Sequence, residues 1–145
     1  LQLVLILAVG TWGLPLLGGD RLTLGDAPGA IALLSAGASC AAIGFALLIA
    51  SFARTPEQAT TFSATTVLIL AALGGIMVPK IVMPPAMQQL AELSPLSWGL
   101  DGFLDIFIRG GGVQEVLPET GRLLGFGVVC FTLAILRFNG RLRHN

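Results

Sequence analysis

The sequence predicts an all-α fold, a polytopic bundle of four transmembrane spans with two short external helices, re-entrant or interfacial, and three observations carry that expectation. Hydrophobic residues make up 54% of the 145-residue chain and charged residues only 11%, with a mean hydropathy of +0.87. A soluble domain has about 25% charged residues, so this chain lacks the polar groups to cover a globule. The charges also cluster, leaving long uncharged intervals between them. Finally, the apolar run between Gly74 and Gly112 breaks at prolines and resumes as two amphipathic pieces. Net charge is zero, which gives no basic field for nucleic acid.

A helix needs about 20 mostly apolar residues to cross the hydrocarbon core, and four stretches meet that need. The first is 1–17, closed by Pro15, Gly18 and Gly19; it starts inside an apolar run without an initiator Met, so the chain is expected to be the later part of a longer protein. The second, 28–52, is uncharged between Asp26 and Arg54. The third, 61–79, follows Glu57 and has a threonine-rich entry before VLILAALGGIMV. The fourth, 119–138, requires Arg122 and Arg137 to snorkel or Glu119 to lie near the headgroups.

Between the third and fourth spans, Pro85 and Pro95 stand where helices begin, because proline presets φ and its missing amide would be unpaired in the first turn anyway. Helices are expected over 85–93 and 95–109, the second with Ser94 as N-cap and Gly110 to Gly112 as its stop. In it, Leu96, Leu100, Phe103, Leu104, Phe107 and Ile108 share one face, and Ser97, Asp101, Asp105 and Arg109 the other. Asp105 before Arg109 has the favourable order for a pair one turn apart. The polar face is either solvated or lines an external gate or shallow cavity.

Small residues in span two (Ser35, Gly37, Ser39, Ala41, Gly44) and the Gly121/Gly125 pair in span four suit close helix packing. The Lys and Arg count across the loops is balanced. The dense cluster Arg137, Arg141 and Arg143 favours a cytoplasmic C-terminus, with the Arg54 to Glu57 loop on the same side and Lys80 to Pro118 as an external excursion.

Catalytic chemistry finds little here. Cys40 and Cys130 lie in apolar runs without neighbours at ligand spacing, so neither a disulfide nor a metal site is expected, and His144 reads as solvated. Asp101-Gly102 with Asp105 has a slight likeness to the metal-binding aspartates of phosphatidyl-alcohol transferases, but the rest of that pattern is missing. There is no Gly-x-Ser-x-Gly turn, no His within a span and no Walker-type phosphate loop. The chain is therefore expected to bind no cofactor and to take its energy from a partner.

LLIASFARTPEQATTF at 47–62, GGIMVPKIVMP at 74–84 and LAELSPLSWGLDGFLDIFIRGGG at 90–112 together resemble, in kind and order, the C-terminal half of ABC-2-type exporter permeases. The resemblance extends over essentially all of 1–145. It implies spans three to six of a six-span half-transporter that works as a dimer with an identical or homologous permease. ATP and Mg would be bound by partner ATP-binding-cassette subunits, and the membrane would be the bacterial inner membrane. It makes Arg54 and Glu57 a candidate ATPase contact. It also makes the helix bearing Pro95, Trp98, Asp101, Asp105 and Arg109 a candidate external gate. The rival readings are a membrane assembly protein without transport activity and a secondary transporter, the latter disfavoured because no charge lies in mid-span. The substrate is not legible.

Overall fold

The computed structural model describes Ala8 and residues 28–142, with side chains to residue 139; the span expected over 1–17 lies outside the described residues. Among the described residues 28–142, five α-helices follow one another: α1 Pro28–Phe52, α2 Pro56–Leu73, α3 Pro85–Ala91, α4 Pro95–Phe107 and α5 Val113–Leu142, with a 3₁₀ turn at Lys80–Val82 before α3. All five begin on or beside a helix-starting signal, Pro28 being the first residue of α1. Proline opens α2, α3 and α4 in the first turn, and at the start of α5 the Gly112 amide donates to Glu115 Oε2 at 2.9 Å. Among the described residues, α1 and α5 are long and apolar enough to cross a membrane.

These two helices run parallel and in step. Gly29 faces Val113, Gly37 faces Thr120 and Gly44 faces Gly127, and the Arg137 guanidinium lies 3.9 Å over the Phe52 ring. Ala30, Leu34, Gly37, Ala41, Gly44 and Ser51 are buried on α1; Val116, Thr120, Leu123, Gly127, Cys130 and Ala134 are buried on α5. Both series step by three, four or seven residues, the spacing of a single helical seam. A Cβ placed on Gly127 would come within 2.8 Å of the Cys40 carbonyl oxygen, so the backbones meet where no larger residue fits. The glycines of the expected Gly121/Gly125 packing pair are exposed, and among the described residues no atom lies within 4 Å of a Cβ placed on either. The α1–α5 seam follows Thr120, Leu123 and Gly127, and Gly121 and Gly125 lie off that stripe.

The helix of the third stretch covers Pro56–Leu73 instead of 61–79. It starts earlier because Thr55 and Gln58 form an N-terminal cap, the Thr55 hydroxyl accepting from the Gln58 amide at 3.2 Å while Gln58 Oε1 accepts from the Arg54 amide at 2.9 Å. It stops at Gly74, and Gly75 takes φ +86°, a left-handed conformation that glycine adopts without penalty. No residue of α2 is buried. The Thr60, Thr61 and Thr66 hydroxyls donate to carbonyls one turn back, those of Pro56, Glu57 and Phe62.

Similarly, α5 starts at Val113 rather than 119, carrying Pro118 inside its second turn. α3 ends at Ala91 and α4 at Phe107, short of the expected 93 and 109. Ile108 closes α4, and the positive φ of +67° falls at Gly110 in the link to α5. α4 packs along α1 and α5: Gly102 abuts Leu34, Trp98 meets Phe126 edge-on at 6.4 Å near the middle of α5, and Ile106 joins the core with Val116. It thus forms a helical hairpin with the first half of α5.

Gly127→Leu is expected to destabilise the α1–α5 pair by about 1–3 kcal/mol, the usual cost of overpacking, because the Cys40 carbonyl cannot retreat. Gly125→Leu should leave the pair intact. Thermal unfolding of the detergent-purified protein distinguishes them.

Candidate functional site

Halfway along the α1–α5 pair the path of the chain changes hands from α2 to α4. The C-terminal end of α2 and the N-terminal end of α4 meet there, and the 20 residues from Gly75 to Ser94 leave and return at that junction. The join is made by hydrogen bonds. Ser94 occupies the N-cap position of α4, but its hydroxyl makes no cap bond; it donates to the Leu70 carbonyl at 3.1 Å. The same carbonyl accepts the Gly74 amide at 2.8 Å, so the Ser94 hydroxyl adds a second bond at the end of α2. Ser94 is buried, and a Cβ on Gly74 would lie 2.9 Å from its oxygen.

The outgoing segment is fastened to α4 by charge. Lys80 Nζ donates to Asp101 Oδ2 at 2.5 Å, and the fully buried Ser97 hydroxyl reaches the same oxygen at 3.4 Å. The two charged side chains are 28% and 39% exposed. The Lys80 stem packs over Gly75, where a Cβ would be 2.9 Å from its Cγ. Gln88 donates to the carbonyls of Lys80 and Met83, and Trp98 Nε1 donates to the Glu92 carbonyl at 2.6 Å. These bonds hold the 3₁₀ turn, α3 and α4 as one polar elbow.

Beside the elbow lies a half-open cleft of about 620 Å³ bounded by α1, α2, α4 and α5. Phe45, Leu70, Leu100, Phe103 and Phe126 contribute to walls on which Ser63 is the one polar side chain. On the α2 side the cleft is lined by Ser63, Val67 and Leu70, and no residue of α2 is buried.

The structure redistributes the candidate residues. Ser97 was expected on the open polar face of the gate helix and is instead 0% exposed. Asp101, expected on that face too, is held by Lys80, a residue the sequence reading gave no role. Asp105 pairs with Arg109 one turn on, as their order predicts. The expected apolar stripe splits: Leu96, Leu100 and Phe103 face the cleft, whereas Leu104, Phe107 and Ile108 are exposed. The reason is that Trp98, Gly102 and Ile106 supply the packing edge, glycine allowing Leu34 to approach. Pro95 lies at the cleft and Trp98 packs against Phe126. Arg54 and Glu57 are exposed together in the α1–α2 turn, at the end of the bundle shared by Phe52 and Arg137. Among the described residues no group of His, Cys, Asp or Glu is placed to hold a metal ion.

A helical membrane domain with a polar elbow let into a parallel helix pair is thus what the residues define. The chain belongs to the ABC-2 type transporter family, whose model matches residues 1–108, and it is accordingly a membrane permease domain of a non-catalytic kind. It is 32% identical over 93 residues to the linearmycin resistance permease protein LnrN of Bacillus subtilis (strain 168), an alignment covering 64% of this chain and 24% of that protein. The chain thus spans about a quarter of the length of that curated relative. No solved structure matches.

Lys80→Ala and Asp101→Asn are each expected to loosen the elbow, with a coupling of about 0.5–1 kcal/mol between them, since both groups are partly solvated. A double-mutant cycle on thermal stability measures it. Ser97→Ala should cost less than either.

Proposed function

We propose that this chain is the C-terminal portion, spans three to six, of the permease subunit of an ABC exporter that moves an unidentified substrate out of the cell. The single observation that carries the reading is the parallel seating of α1 and α5. Two neighbouring spans pointing the same way require a return crossing between them. α2, about 27 Å long at 1.5 Å per residue, makes the first part of it, and α4 lies alongside the rest of the pair. The four-span arrangement then includes 1–17 as its first crossing.

In this arrangement the Arg54 to Glu57 segment and the end of α5 share one end of the bundle, and the dense cluster Arg137, Arg141 and Arg143 favours a cytoplasmic side for that end. An ATP-binding-cassette subunit, carrying ATP and Mg, docks on the full permease from there, with Arg54 and Glu57 as a secondary contact. A second permease copy or homologue completes the pathway. The membrane is the bacterial plasma membrane, in keeping with the bacterial relative. The α4–α5 hairpin and the elbow close the outer side, where Pro95, Trp98, Asp101, Asp105 and Arg109 belong to the moving gate. Nucleotide-driven closure of the ATPases would tilt the α1–α5 pair as a unit, and the hairpin would follow because α4 is packed on both helices.

Two measurements test the proposal. Cysteines at Glu57 and Gln114 in a Cys-free background should be respectively protected from and labelled by an impermeant thiol reagent in intact cells; the reverse pattern would invert the topology. Arg54→Glu with Glu57→Arg should lower substrate-stimulated ATP hydrolysis several-fold in the assembled complex without lowering permease level. Unchanged stimulation would remove this turn from the ATPase contact.

A further inference from the structure

We infer that the joint between the end of α2 and the start of α4 is a two-position latch: the Ser94 hydroxyl either holds Leu70 or caps α4, and its release opens the cleft between these two helices. The inference concerns the joint itself and goes beyond the exporter reading without resting on it.

The attachment of α2 is slight. No residue of the helix is buried, and among the described residues the Ser94–Leu70 bond at 3.1 Å is the one hydrogen bond that ties it to another helix. Losing that bond strands nothing on α2, because the Leu70 carbonyl keeps the Gly74 amide at 2.8 Å. Leu70, Pro95 and Leu96 all line the cleft. The joint is therefore a stretch of its wall.

Ser94 has a second use at hand. It stands at the N-cap of α4 in extended backbone, φ −81° and ψ 127°, where a serine oxygen ordinarily accepts an amide of the first turn. Aimed at Leu70 it accepts none, and the Leu96 amide, the first that α4 offers after Pro95, has no partner among the described residues. Ser94 is 2% exposed, so water does not stand in for either partner while the joint is closed. Turning the hydroxyl from Leu70 to Leu96 exchanges one bond for another.

The chain is also built to part here. The strap after α2 belongs to α4, because Lys80 is paired with Asp101 and Trp98 donates to the Glu92 carbonyl. The turn that ends α2 belongs to α2, closed by the Ile76 amide on the Ala71 carbonyl at 3.2 Å. Between them lie Met77 and Val78, whose amides have no partner among the described residues, and Pro79, which has no amide. Backbone so lightly bonded is where local opening begins. The Lys80 stem crosses this boundary onto Gly75, which presents no side chain to hold it.

Gly74 provides the test. A Cβ there would lie 2.8 Å from the Leu70 oxygen, 2.9 Å from the Ser94 oxygen and 3.2 Å from the Ser97 nitrogen, so Gly74→Ala is a wedge in the joint that leaves Ser94 in place. Residue-resolved hydrogen exchange of the full permease in detergent reads both sides. Gly74→Ala should speed exchange of the Ile76 amide and slow that of the Leu96 amide, each about fivefold, the effect of one ordinary hydrogen bond. Adding Ser94→Ala should abolish the slowing at Leu96 and keep the faster exchange at Ile76. Ser94→Asp, whose carboxylate caps but cannot donate to Leu70, should move both amides as Gly74→Ala does, and it replaces that variant if the wedge impairs folding. In either opened variant a cysteine at Leu100, in a Cys-free background, should react faster with N-ethylmaleimide by the same factor, since Leu100 lines the cleft. A Leu96 amide unchanged in both opened variants, two amides that speed up together, or a Leu100 cysteine no more reactive than before would overturn the proposal.

Discussion

The close approach of α1 and α5 governs the rest of the architecture. In lipid there is no solvent-driven force to hold helices together, so contact must come from backbone proximity and close packing. Gly37, Gly44 and Gly127 provide it, letting carbonyls and Cα atoms touch where side chains would hold the helices apart. Around this pair everything else is attached more loosely. α4 leans on both helices through Gly102 and Trp98, and α2 hangs from the turn at Arg54 and from Ser94.

Much of the fold could be read from the chain before its coordinates. α1 begins and ends at the residues that bound the uncharged interval, because a long apolar run flanked by charges leaves a helix few choices. The prolines marked the starts of α3 and α4 for a local steric reason, and a local rule survives tertiary packing. Helix ends were less legible. α2 stops at Gly74 because the chain turns there toward Lys80, and nothing in the apolar string IMVP announces that turn.

The candidate site was less legible still, since its decisive contacts join residues far apart in sequence. Lys80 and Asp101 are 21 positions apart and Ser94 and Leu70 are 24; neither pair has a periodic signature. The period of α4 correctly separated apolar from polar residues, but it could not say which face would be covered. A small residue inside the polar side, Gly102, decided that by admitting Leu34. The Gly121/Gly125 spacing is a packing signal off the α1–α5 seam, and it could not say that Gly127 is the α5 glycine within that seam.

The threonines of α2 have a consequence for biosynthesis. Thr60, Thr61 and Thr66 return their hydroxyl protons to the helix's own backbone, a bond that also tends to bend a helix. What they then present sideways is largely methyl. Residue-by-residue polarity scales treat a threonine as if it arrived in the membrane with its hydrogen bonds still to be made, so they overstate the resistance of this segment to insertion. Were α2 to enter the bilayer, it would carry within its own helix the partners for these three hydroxyls before any neighbour had folded against it.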